Sequence, residues 1–305
     1  MAGPVVALAG ASGDLGFRIA RALVDRGAEV RALIRPDVSA AERAKLEGVG
    51  LTLAEADPRN RDAMAAECAG ASCVVSALNG LREVMIDRQS VLLEAAVQAG
   101  VPRFISSDFA ADFTKTEPGR NRNFDLRRDF MASADKARIK VTSILNGAFL
   151  DMLGAEMPIV QPRIHRVIYW HDADQLLDFT TKNDVAAYTA RAALDETTPR
   201  ILRIAGDSVS ARNIAAILSE ISGEHYRPFW AGGLGSLGVM IRIARLVAPQ
   251  PTAAFPPWQG MQYMRDQFSG RARLSPLDND RYPGMRWTTT REHLSHLFQT
   301  SGEPI

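Results

Sequence analysis

The chain of 305 residues has only two cysteines, Cys68 and Cys73. That excludes a disulfide framework, and a C-x4-C pair with no histidine or further cysteine beside it is a poor zinc site. Charge of one sign is also lacking: 36 Lys and Arg stand against 35 Asp and Glu, a net +1. No broad basic field points to nucleic acid, and no acidic tail points to disorder. Long hydrophobic runs are missing. The most apolar helical stretch, 234–248, is interrupted by Arg242 and Arg245, which argues against a membrane span. The opening "MAGPVVALAG" has no basic segment ahead of its apolar run, so it reads as a buried strand and not as a signal peptide. No internal repeat is visible. These absences point to a cytoplasmic protein without a membrane anchor or a direct nucleic-acid partner. With 46% hydrophobic and 23% charged residues, the composition is that of an ordinary globular enzyme able to bury a core unaided.

What is present is alternation. "PVVALAG" reads as a strand and "GFRIARALVDRG" as a helix stopped by Gly27; "AEVRALIR" is the next strand. "SAAERAKLEGVG" follows as a helix with Ser39 as N-cap. "LTLAEAD", "ASCVVSAL", "VPRFISSDF" and "IKVTSILNGAF" continue the strands, with helices over "RNRDAMAAECAG", "DRQSVLLEAAVQAG" and "FDLRRDFMASADKAR". Strand–helix alternation with short glycine-ended connections predicts a doubly wound parallel α/β sheet. After about residue 150 the rhythm changes. "HRVIYWHDADQLLDF" reads as two strands around a polar turn, and "TKNDVAAYTARAALD" and "SARNIAAILSEISG" as helices. From 228 onward Pro, Gly and aromatics mark long irregular connections. The expected organisation is a dinucleotide-type domain over 1–155 and a smaller, interleaved α+β substrate domain over 156–305. The segment of about 177–206 returns to the first sheet.

Two glycine clusters compete for a phosphate. "GLGSLG" (233–238) has the full G-x-G-x-x-G spacing, but "RPFWAG" before it reads as a Pro-bearing aromatic loop, and no acidic residue follows about twenty positions on. It is expected to be a loop opening a helix. "GASGDLG" (10–16) follows an apolar strand and opens a helix, which is the context that an anion site needs. Gly10 lets the chain turn, Gly13 lets backbone approach a pyrophosphate, and Gly16 lets the helix pack close. Ser12, Asp14 and Leu15 complete the candidate binding turn, Ser12 and Leu15 through their N–H groups. The second strand ends at Arg35, where a guanidinium suits a 2′-phosphate, so NADP(H) is favoured over NAD(H). Asp57, at the end of the third strand, either accepts from an adenine amino group or caps the helix that follows.

In order and spacing, "GASGDLG", Arg35 in "LIR", "AEADPRN", "VVSALNG", "VPRFISSDF" and "FDLRRDFM…IKVTSILNGAF" resemble the NmrA-like family of atypical short-chain dehydrogenases, which includes isoflavone-reductase-like enzymes. The resemblance covers nearly the whole chain and is specific over the first 150 residues. It implies a Rossmann-type domain that binds NADP(H). It also implies an NADPH-dependent oxidoreductase acting on a small apolar carbonyl, enone or aromatic substrate. The alternative is a catalytically weak, NADP(H)-sensing regulator that binds a protein partner; a homodimer stays open. By position, Ala77, Leu78 and Asn79 would pass under the nicotinamide half of the cofactor, with Ser106 and Ser107 beside it. Asp108 and Phe109 are counterparts of the family's Glu-Phe. Asn146 and Phe149 would lie near the pocket; Phe109 and Phe149 are equally well read as plain core aromatics.

The departure from the family pattern is at Arg127, which stands in "FDLR" where the reductases carry a catalytic lysine. A lysine can be tuned to hand over a proton, whereas a guanidinium keeps its charge but can still stabilise an oxyanion. The other reading of Arg127 is a solvated or phosphate-neutralising arginine flanking a buried stripe of Leu126, Phe130 and Ala134. No tyrosine is followed four residues later by lysine, so the acid pair of ordinary short-chain dehydrogenases is missing. His165, Tyr169 and His171 share one face if "HRVIYWH" is a strand, but "HDADQ" also reads as a hairpin turn. Met240, Trp258, Met261 and Met264 are pocket lining or ordinary core.

Overall fold

Val6, Ala7 and Leu8 are fully buried because their strand is central to a covered sheet. The computed structural model describes residues 3–153 and 157–301. The chain runs β1 (Val5–Ala9), α1 (Asp14–Val24), β2 (Glu29–Ile34), α2 (Ala40–Glu47), β3 (Thr52–Glu55), α3 (Arg61–Cys68) and β4 (Cys73–Ser76). A π-helical turn, Glu83–Arg88, leads directly into α4 (Gln89–Gln98), followed by β5 (Arg103–Ser106), α5 (Arg122–Ala134) and β6 (Lys140–Leu145). Next come β7 (Ala148–Phe149), β8 (Val160–Gln161), β9 (Arg166–Tyr169), β10 (Leu177–Thr180), α6 (Lys182–Leu194) and β11 (Ile201–Arg203). The last elements are β12 (Asp207–Val209), α7 (Ala211–Ser222), β13 (Arg227–Trp230), α8 (Leu234–Val247), α9 (Pro257–Phe268) and α10 (Thr290–Ser301).

Contacts divide the chain into two units. The first comprises Met1–Phe109, Phe124–Ile144 and Val185–Leu202; the second comprises Ala110–Asn123, Leu145–Asp184 and Arg203–Ile305. The first unit is built on a seven-stranded sheet in the order β11-β6-β5-β4-β1-β2-β3. Successive pairs from β3 to β6 are parallel. Strand order reverses between β1 and β4, and at such a switch point the loops leaving the strand C-termini part into a crevice. On one face, Ala7, Val74, Phe104 and Val141 pack with Met64, Leu92, Leu93 and Phe130. The rings of Phe104 and Phe130 lie 6.4 Å apart, tilted by 42°, within the range of favourable aromatic pairs.

The second unit holds two three-stranded sheets, β12-β10-β7 and β13-β9-β8. Its core gathers Trp170, Phe179, Leu237, Ile241, Phe268 and Leu294, with Trp170 meeting Phe268 edge-on at 5.8 Å. Helix α7 begins in a capping box made by Ser210 and Asn213 and stops at Gly223, which adopts φ +75°.

Three sequence expectations are corrected here. The strand expected over "IKVTSILNGAF" breaks into β6 and β7 at Gly147, where φ is +72° and a Cβ would come within 2.2 Å of the Asp178 carbonyl oxygen. "HRVIYWHDADQLLDF" does form two strands, but β9 pairs with β8 and β13 while β10 pairs with β7 and β12, so they are no hairpin. "RPFW" is a strand and not a loop: β13 runs parallel to β9, and its proline is tolerated because β13 is an edge strand. Helix α9 lies within the stretch expected to be irregular from 228 onward. Pro257 at its start and Gly260 within it resemble loop punctuation, yet proline is well suited to a first helical position.

Candidate functional site

The glycine turn between β1 and α1 separates what the fold requires from what it leaves open. Gly10 adopts φ +84°, and a Cβ there would meet the Ala77 carbonyl at 2.6 Å. At Gly16 a Cβ would meet the Gly10 carbonyl oxygen at 2.0 Å, so only glycine lets α1 seat against the turn. Gly13 is different. Its φ is −72°, open to any residue, and its Cβ would meet nothing nearer than the Gly10 carbonyl oxygen at 3.4 Å. Gly13 is also the N-cap of α1 and supplies no side-chain cap, whereas α2, α3 and α7 are capped by Ser39, Asn60 and Ser210. Ser12, Gly13 and Asp14 are exposed and Leu15 is half-buried. The Asp14 carboxylate accepts from Arg18 Nε at 2.7 Å, which offsets its charge beside the turn. The first turn of α1 therefore offers backbone N–H groups to an anion, in open space.

Arg35 follows the last residue of β2 and stays exposed, its Nε 3.5 Å from Asp37. Asp57 is exposed as well, and its Oδ1 accepts from Arg59 N at 2.9 Å. It does not cap α3; Asn60 does, accepting from Ala63 N.

The loop after β4 is braced from the neighbouring strand. Ser107 Oγ donates to the Leu78 carbonyl at 2.6 Å, and Ser107 N donates to Gln89 Oε1 at 2.9 Å. Gln89 is fully buried and donates from Nε2 to the Met85 carbonyl, tying residues 77–80 to the π turn and α4. Asn79 is exposed, next to Gly80, where a Cβ would press on Val84 at 2.8 Å. Ser106 is turned elsewhere. Its hydroxyl and that of Ser143, its register partner on β6, donate to Asp108 Oδ2 at 2.5 and 2.6 Å. Ser143 Oγ in turn accepts from Arg200 Nη1 at 2.7 Å. This buried network has no signature in the sequence, because nothing local links residues 106, 143 and 200.

Arg127 is buried, only 7% exposed. The buried stripe of α5 runs through Phe124, Arg127, Phe130 and Ala134, with Leu126 half-buried, so Arg127 lies inside the stripe and not on its edge. The reading of a solvated arginine is thereby overturned. A guanidinium shielded from water acts more strongly on a developing negative charge than one in solvent. Both cysteines are buried; burial pushes the thiol of Cys68 up to about 11 and that of Cys73 to about 12, so neither is a nucleophile near neutrality.

In the second unit, Asn146 is fully buried and Phe149 half-buried in β7. Phe109, in the first unit, is buried. His165 and His171 have φ +51° and +70°, so strand alternation stops at both ends of β9. The His165 ring instead lies 5.1 Å from that of Tyr226, tilted by 50°. Trp258 is core: its Nε1 donates to the Pro249 carbonyl, and Arg122 and Arg245 lie over its ring. Met261 and Met264 pack on the same unit's core, whereas Met240 is exposed. Among the described residues no helix is long and apolar enough to cross a membrane, and no group of three metal-binding side chains is assembled.

Known proteins agree with this architecture. The chain is 28% identical over 208 residues to pinoresinol reductase 1 of Arabidopsis thaliana, a match covering 63% of this chain and 65% of that protein. The matched region thus spans just under two thirds of the relative. The solved structure of AtPrR2 with NADP+ and (+)pinoresinol superposes with a TM-score of 0.79 at 20% identity, covering 96% of this chain and 98% of that one. An NADPH-dependent quinone oxidoreductase from Escherichia coli, complexed with NADPH, gives 0.74 at 19% identity, covering 96% and 99%. At such identity these structures establish a shared Rossmann-type fold. The model of the NmrA-like family matches residues 4–228, from β1 through the start of β13, and the chain belongs to that family.

Proposed function

We propose that the first unit binds NADP(H) and that the protein is an NADPH-dependent reductase of the isoflavone-reductase-like type. The observation that carries this reading is Gly13. The fold demands glycine at 10 and 16 but not at 13, so its missing side chain serves something outside the fold. A pyrophosphate against the first turn of α1 accounts for it. Gly10, Ser12, Gly13, Asp14, Leu15 and Gly16 would form the cradle. Arg35 would hold the 2′-phosphate, and Asp57, no longer needed as a cap, is free to face the adenine. Ala77, Leu78 and Asn79 would flank the nicotinamide end, held in place by Ser107. The names of the relatives, pinoresinol reductases and an NADPH-dependent quinone oxidoreductase, support the same reading.

Bound NADPH supplies a hydride. What the chain adds is charge and shielding. Arg127 would stabilise the oxyanion left on a reduced carbonyl or enone, and it cannot supply the proton. The reading therefore favours substrates whose reduced form is a stabilised anion that takes its proton from water: quinones and enones before simple ketones. The acting partner is a small apolar molecule. The experiment is a panel of quinones, enones and ketones offered with NADPH, followed through the absorbance of the reduced nicotinamide. Turnover of quinones or enones supports a reductase. Tight NADPH binding with no turnover of any substrate would instead assign the protein to cofactor sensing with a protein partner.

A further inference from the structure

From Arg227 to Arg265 the chain contains four arginines and no Asp, Glu or Lys. Helix α8 lies in the middle of this stretch. One of its faces is buried through Leu237 and Ile241. Its opposite face is apolar too. Val239, Ile243 and Leu246 recur at helical spacing with Met240 and Val247 beside them, and all five are exposed. Ile243 is 56% exposed, Leu246 85% and Val247 76%. Arg242 flanks this face in solvent, and Arg245 lies further round with its guanidinium 5.1 Å from the Trp258 ring. Phe229 and Trp230, just ahead of the helix, are exposed as well. A contiguous apolar face of this kind marks a contact surface.

The chemistry around the face selects its occupant. Pairing with a second copy would bring two Arg242 side chains and two Arg245 side chains together, with no carboxylate in the stretch to separate them, and like charges across an interface are repulsive. An apolar side flanked by arginine, with tryptophan and phenylalanine at one end, matches a helix lying in the headgroup layer of an anionic bilayer. We infer that α8 docks the second unit onto a lipid surface that carries negative charge. The inference draws only on exposed residues of the second unit and does not rest on the proposed reductase activity.

The test is co-sedimentation of the full chain with vesicles of phosphatidylcholine alone and of phosphatidylcholine with phosphatidylglycerol. Binding is expected to the anionic vesicles only and to weaken with added salt. Arg242→Glu is expected to lower partition by roughly fivefold or more, the worth of one basic residue near such a surface. The double variant Ile243→Asp with Leu246→Asp is expected to abolish partition while keeping the wild-type melting temperature, because both positions are exposed. Equal binding of the wild type and the double variant, or no binding to anionic vesicles, would overturn the inference. A wild-type dimer in sedimentation velocity that this double variant splits into monomers would overturn it too, and would assign the face to a second copy.

Discussion

Gly16 sits so close to Gly10 that a Cβ on Gly16 would lie 2.0 Å from the Gly10 carbonyl oxygen. This close approach fixes the angle at which α1 leaves the sheet. Gly13, three residues earlier, has no such constraint. Gly16→Ala is therefore expected to destabilise the first unit by about 1–3 kcal/mol through overpacking. Gly13→Ala is expected to leave stability within about 0.5 kcal/mol of wild type. Urea denaturation of the two variants checks the contrast. Equal loss in both would mean that Gly13 is structural after all.

Arg35 is the residue on which cofactor choice rests. Its Nε lies 3.5 Å from Asp37 in solvent, and such an exposed pair adds little to stability. Arg35→Ala is expected to weaken NADPH binding by about tenfold or more, the worth of a charge-assisted hydrogen bond, and to leave NADH binding nearly unchanged. Melting temperature should not move. Fluorescence titration with both dinucleotides provides the comparison, and a parallel loss for both would remove Arg35 from the 2′-phosphate.

Arg127 is buried on α5, where a lysine would bring a proton and an arginine brings only charge. Arg127→Met is expected to lower kcat for the best quinone or enone by about a hundredfold, as when one oxyanion donor is removed. Arg127→Lys should retain more activity and should introduce a fall in rate at alkaline pH that the wild type lacks, because lysine can deprotonate. Unchanged kcat in Arg127→Met would take this residue out of the reaction.

Asp112, fully buried in the second unit, gives the fold an acid limit. Burial pushes its carboxyl up. Hydrogen bonds from Thr114 and Arg203 and the charges of Arg203 and Lys115 outweigh burial and hold it below its ordinary value. The Arg203 Nε lies 2.7 Å from Oδ2. Because the folded value is the lower one, the stabilisation is full above the unfolded pKa of about 3.9 and is lost as pH falls through the folded value. Asp112→Asn is expected to cost about 3 kcal/mol near neutrality, by leaving Arg203 unpaired against a neutral amide, and to flatten the acid limb. Melting temperatures from about pH 7 to about pH 2.5 show both effects; an acid limb as steep in the variant as in the wild type would contradict the assignment.

The parallel sheet was readable because each of its central strands is a short apolar run closed by glycine or a turn, as in "VVALAG", and because Ser39 marks the start of α2. The turn at 10–16 was readable for the same local reason. Reading failed where a residue's role depends on partners far along the chain. Arg127 looks like a flank when α5 is drawn as an isolated helix, and it is buried only because the stripe runs through Phe124 and Phe130. The Ser106–Asp108–Ser143–Arg200 network joins β5, β6 and the residue ahead of β11, which are distant in sequence. "RPFW" pairs with β9 across some sixty residues, and its proline hid it. "GLGSLG" then does follow a strand and open a helix, so context alone no longer separates it from the first cluster. The difference lies in what each glycine meets: Gly233, Gly235 and Gly238 have nothing within 4 Å of a Cβ, whereas Gly10 and Gly16 are locked against backbone.

All of the functional account rests on a dinucleotide seated at the start of α1. Titration calorimetry of NADPH into the wild-type chain and into Gly13→Val tests it most directly. The account predicts a saturable heat for the wild type and none for the valine variant, with both proteins melting alike. No heat from the wild type, or equal heats from the two, would contradict it.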